Sequence, residues 1–306
     1  MRRLGLALSG GSVRGVAHVG VLKALRDAGI EWHCVAGTSS GAIVAALAAA
    51  GVGPDRLEEL ASGLRWHHLS DIAFSRWGPV DNRKLRALLD QLLEGREFKD
   101  LPRPLAVVAT DLLTGREVVI REGSVAHAVQ GSCAVPGVFR PVRWRDKLLV
   151  DGGITTNLPT RPCRAMGADV VLAVDLTPQP GPVPEPRNVI QILLRALDIM
   201  QRANVARDAE EADILLQPRV GHFGHLDLSR WAQIAAEGER AAREALPAIR
   251  AALGLSPAEA SIAAGAARQA GAGPESAANT AQAQVQAAAG GPASSAAAWP
   301  PRRGPS

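Results

Sequence analysis

The apolar positions of the 306-residue chain change their period repeatedly along its length. Short unbroken apolar runs alternate with stretches whose apolar residues recur at helical spacing. Runs of the first kind read as strands buried on both faces, and the stretches between them as helices. Leu4–Leu8 (LGLAL) is the first such run. Val13 to Ala28 then carries Val16, Val19, Leu22 and Leu25 at helical spacing and stops at Gly29. HCVAG is the next strand and Gly41 to Ala50 the next helix. Pro54–Gly63 and Arg83–Leu93 read as amphipathic helices. PLAVVATDL and REVVIREG read as strands of a hairpin joined through Leu113-Thr114-Gly115. VRWRDKLLVDGG predicts two short strands with a turn near Asp146. ADVVLAVDL and ADILLQPRV are further buried strands, separated by a long helix through Val189–Ala206. A last helix spans Ser229–Leu253, with Pro247 predicted to kink or break it.

Such alternation predicts an α/β fold: a three-layer α/β/α arrangement around a mainly parallel central sheet, carried by Met1–Leu253. From Gly254 the pattern stops. Ala, Gly, Ser, Pro and Gln dominate, and large apolar residues lose their period. A segment of that kind buries too little surface to offset its ordering entropy. Gly254–Ser306 is therefore expected to be a mostly disordered tail, transiently helical in its Ala-rich parts.

Composition narrows the function classes. Hydrophobic residues make up 47% of the chain, enough for a large single core. The net charge is +4, without a long basic block, and aromatics are 3% with no Tyr. Neither a nucleic-acid footprint nor a base-stacking platform is expected. A mild attraction to anionic lipid remains compatible with this balance, as peripheral contact with a membrane. Cys34, Cys133 and Cys163 are widely spaced and odd in number, so neither a disulfide framework nor a zinc ribbon is expected. A reducing, cytoplasmic setting fits them. The opening MRRLGLALSGG imitates a leader, but its apolar stretch is shorter than the ~7–15 residues a signal core needs. The longest apolar run, Gly41 to Gly53, falls short of the ~18 residues of a membrane span.

Three local patterns carry chemistry. The first is Gly37-Thr38-Ser39-Ser40-Gly41, a G-x-S-x-G between a strand and a helix. In that setting the middle serine, Ser39, stands at the tip of a sharp turn. Gly and Ser also fill ordinary turns, so the motif alone does not choose. The second is Ser9-Gly10-Gly11-Ser12-Val13-Arg14-Gly15, after the first strand. Its small residues leave backbone N–H groups bare for an anion. A dinucleotide fingerprint wants Gly at the position of Ser12 and an acidic residue closing the second strand, which instead ends in Ala36-Gly37. A Walker loop would need Gly-Lys-Ser/Thr, which is absent. The third is Asp151-Gly152-Gly153, directly after the apolar run Leu148-Leu149-Val150. Alone it is a turn; beside an elbow serine and an anion loop, Asp151 becomes a candidate base.

No histidine completes a triad. His18, His33, His67, His68 and His127 lie in no convincing segment downstream of the elbow. His222 and His225 in GHFGHLD lack a third metal ligand and read as a surface loop. Neither metal nor organic cofactor is called for.

Taken together, these residues resemble the patatin-like phospholipases, particularly their small bacterial members. GGSVRG, GTSSG and DGG stand where that family has its GGGxRG loop, GxSxG elbow and DG[GA] motif, in the same order. Ser132-Cys133-Ala134-Val135-Pro136-Gly137, Asn157-Leu158-Pro159 and Ala109-Thr110-Asp111 add to the likeness. The resemblance implies a Ser–Asp dyad, with Ser39 as nucleophile and Asp151 as proton acceptor. It implies an oxyanion hole from the amides of Gly10, Gly11 and Ser12, with Arg14 fixing the loop or adding positive potential. Gly15, Gly37, Gly41, Gly152 and Gly153 support the motifs. Ser12 departs from the family's third glycine, and its Cβ is expected to narrow the acyl entrance. The implied substrates are acyl lipids, phospholipids or lysophospholipids. Phe74-Ser75-Arg76-Trp77 and His222–Leu226 are candidate lipid-facing loops, although scattered aromatics more often serve packing. A non-catalytic module binding acyl ligands or a partner in the same cleft is the alternative of another class.

Overall fold

The computed structural model describes residues 2–65, 71–75, 78–179, 181 and 185–255. The tail from residue 256, with His67, His68, Arg76 and Trp77, lies outside the described residues. The strands are β1 (Leu4–Leu8), β2 (Cys34–Thr38), β3 (Asp71–Ser75), β4 (Gly78–Asp81), β5 (Leu105–Asp111), β6 (Arg116–Ile120), β7 (Val142–Trp144), β8 (Lys147–Asp151), β9 (Val170–Val174) and β10 (Ile214–Leu216). The helices are α1 (Ala17–Asp27), α2 (Ser40–Ala49), α3 (Pro54–Gly63), α4 (Arg83–Leu92), α5 (Val125–Ser132), α6 (Thr160–Ala165), α7 (Val189–Ala209) and α8 (Trp231–Leu253).

Eight strands form one sheet in the order β10-β9-β1-β2-β5-β8-β7, with β6 also paired to β5. It is parallel from β10 through β5 and antiparallel where β6, β7 and β8 join. Side chains alternate between its two faces, and so do the cores. Leu4, Leu6, Leu8, Val35, Val107 and Leu172 enter the larger core, with Leu25, Leu47, Ile234 and Ile249 from α1, α2 and α8. Ala7, Cys34, Ala36, Ala106 and Ala173 face the other way, against Cys163 of α6 and Val205 of α7. Period-two alternation in the strands thus produces the central sheet with helices on both sides. The small side chains on the second face let the short α6 approach closely. All three cysteines are free and buried.

On the larger face α1 and α8 cross at backbone contact. Gly20 lies against the Ala235 carbonyl and Gly238 against that of Ala17, so a Cβ on either would overlap the partner backbone.

Three details differ from the sequence reading. The first helix opens as a 3-10 turn over Ser12–Val16 and becomes α-helical only at Ala17. Pro247 neither breaks nor ends α8, which continues to Leu253. Ile249 and Leu253 beyond it are buried, and their packing holds the last turns despite the missing N–H. Phe74 and Ser75, read as part of a loop, end strand β3, which pairs with β4. The β5–β6 hairpin and the β7–β8 pair stand where the alternation placed them.

Candidate active site

β5 acts as the ruler of the site. On one edge it pairs with β6 from Val107 to Asp111. On the other edge β2 comes up in parallel and ends with Thr38 opposite Val108. β8 comes down antiparallel on that same edge and ends with Asp151 opposite Ala109. Two strand ends that converge on neighbouring positions bring the next side chains together. Ser39 Oγ donates to Asp151 Oδ2 at 2.7 Å.

Ser39 sits between β2 and α2 with φ 52 and ψ −124. A non-glycine residue with such a φ is strained, and the strain must be held by its surroundings. They are tight. A Cβ on Gly37 would lie 2.5 Å from the Gly41 carbonyl oxygen, and one on Gly41 would overlap the Leu8 carbonyl. Both glycines of the motif are therefore required by close backbone approach. The Ser39 amide donates to Ser132 Oγ at 2.8 Å, and Ser132 Oγ donates to the Val108 carbonyl at 2.5 Å. Gly15 packs on the next residue: a Cβ there would sit 2.6 Å from the Ser40 Cβ.

Asp151 is 1% exposed. Its Oδ1 accepts from the Gly153 amide at 2.8 Å, and its carbonyl accepts from Thr110 Oγ1 at 3.0 Å. Gly152 lies flat on the Val108 carbonyl, with no room for a Cβ. Burial raises the Asp151 pKa to about 6, and the Ser39 and Gly153 hydrogen bonds pull it back only in part. The Cys133 thiol lies beside this pair. Burial first, and the Asp151 charge second, push it well above the ordinary thiol range, so it stays protonated.

In the glycine-rich loop the Gly10 and Arg14 amides already have partners within the protein. The Gly10 amide donates to Asn157 Oδ1 at 3.2 Å. The Arg14 amide donates to the Gly11 carbonyl at 3.2 Å. The Arg14 guanidinium is 3% exposed: Nε donates to the Phe223 carbonyl at 3.2 Å, and Nη1 pairs with Asp198 Oδ1 at 3.4 Å. Both groups of Arg14 are thus occupied as loop braces. The amides of Gly11 and Ser12 meet no acceptor among the described residues.

A second cluster surrounds that brace. His225 Nε2 lies 2.9 Å from Asp198 Oδ2 and 3.1 Å from Arg14 Nη2, and His225 Nδ1 lies 3.4 Å from Ser12 Oγ. Facing a carboxylate, His225 Nε2 carries the proton. Burial pushes the Asp198 carboxyl up, but the His225 and Arg14 contacts outweigh it and hold the carboxyl below the ordinary range. The GHFGHLD segment is therefore not a free surface loop: Phe223 is buried, and His225 ties it to the glycine loop. On the other side His18, fully buried, meets the Ser9 carbonyl at 2.8 Å through Nε2. Burial lowers its pKa to about 4, so it stays neutral and Nε2 donates. Asn157, Ser132, Asp198, His225 and His18 were not assigned roles from sequence. Asn157 and Ser132 stand in motifs quoted for the resemblance, and His225 in the GHFGHLD segment. Among the described residues no group of three His, Cys, Asp or Glu could hold a metal ion.

Residues 6–164 match the family model of patatin-like phospholipases. The chain belongs to the patatin-like phospholipase family. An uncharacterized NTE family protein of Mycobacterium tuberculosis is 32% identical over 275 residues, covering 81% of this chain and 47% of that protein. A second one from the same species is 37% identical over 180 residues, covering 57% and 49%. Lysophospholipase nte1 of Aspergillus fumigatus is 31% identical over 181 residues, 57% of this chain and 12% of its own. The chain spans about half the length of the mycobacterial relatives. The crystal structure of VipD from Legionella pneumophila has the same fold, with a TM-score of 0.60 at 16% identity, over 81% of this chain and 67% of that one. In this patatin-like chain Ser12 takes φ 55, a conformation that glycine adopts without strain. The His225 contact accompanies that strained position.

Proposed function

We propose that the chain is a serine hydrolase of acyl-lipid esters working through a Ser39–Asp151 dyad. The observation that carries this reading is the 2.7 Å bond from Ser39 Oγ to a carboxyl that is almost completely buried. Ser39 Oγ attacks the ester carbonyl carbon while its proton passes to Asp151 Oδ2. The negative charge forms on the former carbonyl oxygen, which the Gly11 and Ser12 amides receive. The tetrahedral adduct then expels the alcohol. The ester C–O bond breaks, and Asp151 returns the proton to the leaving oxygen. Water repeats the sequence on the acyl-serine and frees the fatty acid. An ordinary aspartate, with a pKa near 3.9, is too acidic for this exchange; one near 6 is matched to neutral pH.

The alcohol side of the substrate is proposed to be a lysophospholipid or phospholipid headgroup. The family and the name of the Aspergillus lysophospholipase support that class. The test is hydrolysis of lysophospholipid and of a short p-nitrophenyl ester by wild type, Ser39→Ala and Asp151→Asn, with a fluorophosphonate probe in parallel. Turnover by wild type alone, with Ser39 labelled, is expected. Wild-type-like turnover by Ser39→Ala, or labelling at Ser12, would overturn the assignment. Acyl-ligand binding without any turnover by wild type would favour a non-catalytic module.

A further inference from the structure

α7 is inside out. Its buried face consists of Leu194, Asp198, Gln201, Val205 and Asp208, three of them polar. Its opposite face is apolar and open: Val189 is 66% exposed, Ile192 53%, Leu193 36%, Ile199 54% and Met200 50%. These positions recur at i, i+3, i+4 spacing and form one continuous stripe. Monomeric proteins seldom leave such a stripe to water without a use. The charges of the helix are equally one-sided. Asp198 and Asp208 are buried, so the charges of the helix that are exposed or half-buried are Arg195, Arg202, which also donates to the Pro178 carbonyl, and Arg207, which also pairs with Asp208 at 3.3 Å. Arg195 and Arg202 lie on the flank between the apolar stripe and the buried face, where a long side chain reaches sideways while its stem lies along apolar surface.

We propose that the outer face of α7 docks on an anionic lipid surface. An apolar stripe bordered by arginines is the signature of a helix lying in the headgroup plane. A second copy of the chain fits worse, because a two-fold contact would set arginine flank against arginine flank. The tail fits worse too: residues 256–306 hold only three large apolar side chains, Ile262, Val285 and Trp299. The position of α7 suits the dock. Its inner face touches the candidate catalytic loops through Asp198 on Arg14, Gln201 beside Gly153, and Asn204 Nδ2 donating to the Ile154 carbonyl at 2.8 Å. Leu193 packs against Gly137, four positions after Cys133. One helix therefore braces the site on one side and offers the membrane surface on the other.

The purpose of this dock rests on the lipid-hydrolase reading, but its test does not. Sedimentation with vesicles of phosphatidylcholine–phosphatidylglycerol and of phosphatidylcholine alone is measured on the full chain carrying Ser39→Ala. Binding to the anionic vesicles that weakens with salt is expected. Adding Ile192→Asp and Ile199→Asp should weaken it by about tenfold or more. Both positions are exposed, so hydrolysis of a soluble ester by the same pair of changes in the Ser39 background should stay at the wild-type level. Vesicle binding unchanged by the two aspartates overturns the proposal, and so does failure to bind anionic vesicles. A dimer that the two aspartates dissociate would assign the stripe to a second copy instead.

Discussion

The Asp151 carboxyl accepts the Ser39 hydroxyl at 2.7 Å from a position that is 1% exposed, and burial there lifts its pKa to about 6. A proton acceptor must be ionised to act. Activity on an ester that does not itself titrate should therefore fall as pH drops through about 6, with kcat/KM losing tenfold per unit below it. An unshifted aspartate would place that limb near 4. A pH–rate profile from acid to neutral separates the two, and a flat profile down to pH 5 would count against Asp151.

The same shift makes a stability prediction of definite sign. A carboxyl whose folded pKa lies above its unfolded 3.8 is most compatible with the fold when protonated. The contribution is fully present below pH 3.8 and is lost as pH rises through about 6. At pH 8 the buried carboxylate costs the fold on the order of 3 kcal/mol. Asp151→Asn keeps an acceptor for the Gly153 amide and removes that charge. It should be inactive yet more stable than wild type at pH 8, with the gain vanishing near pH 4. Urea unfolding at the two pH values checks this; an equal change at both would show that the cause is not the ionisation.

Ser39 offers a test of backbone strain. With φ 52 and ψ −124 it occupies a region that glycine enters readily and alanine does not. Ser39→Ala and Ser39→Gly both remove the hydroxyl, so their difference isolates the backbone. Ser39→Gly should be the more stable of the two by about 1–2 kcal/mol, the reverse of the usual alanine advantage. Equal unfolding midpoints would mean that the turn relaxes in the variant.

The central pair was readable from sequence because its determinants are local. Small residues around Ser39 and Asp151 mark sharp turns at strand ends, and apolar runs mark the strands that carry them. What joins the two turns is not local: Val108 and Ala109 supply neighbouring pairing positions from a third strand. The Asp198–His225 brace had no such signature. Asp198 is one of two acids on a helix with an apolar stripe, and periodicity alone does not say which side of that helix faces inward. Only the fold shows that the polar side is buried. Pro247 misled for a related reason, since its penalty is local and the packing of Ile249 and Leu253 that outweighs it is not.

That brace carries the last prediction. Arg14 touches no reacting atom; it holds the Phe223 carbonyl and Asp198 at once, beside His225, and so fixes the loop whose Gly11 and Ser12 amides face the site in our proposal. A positioning residue of this kind should affect the transition state more than ground-state binding. Arg14→Ala leaves Asp198 with His225 alone and lets the loop shift, so kcat should fall by about 10²-fold with KM changed little, the scale of a lost oxyanion donor. Arg14→Lys keeps the charge but cannot span both partners, and should recover only part of the rate. Both proteins should still react with a small fluorophosphonate at Ser39, since the Asp151 bond is untouched. A KM increase at constant kcat would instead assign Arg14 to substrate binding. Full recovery by lysine would reduce its role to positive potential.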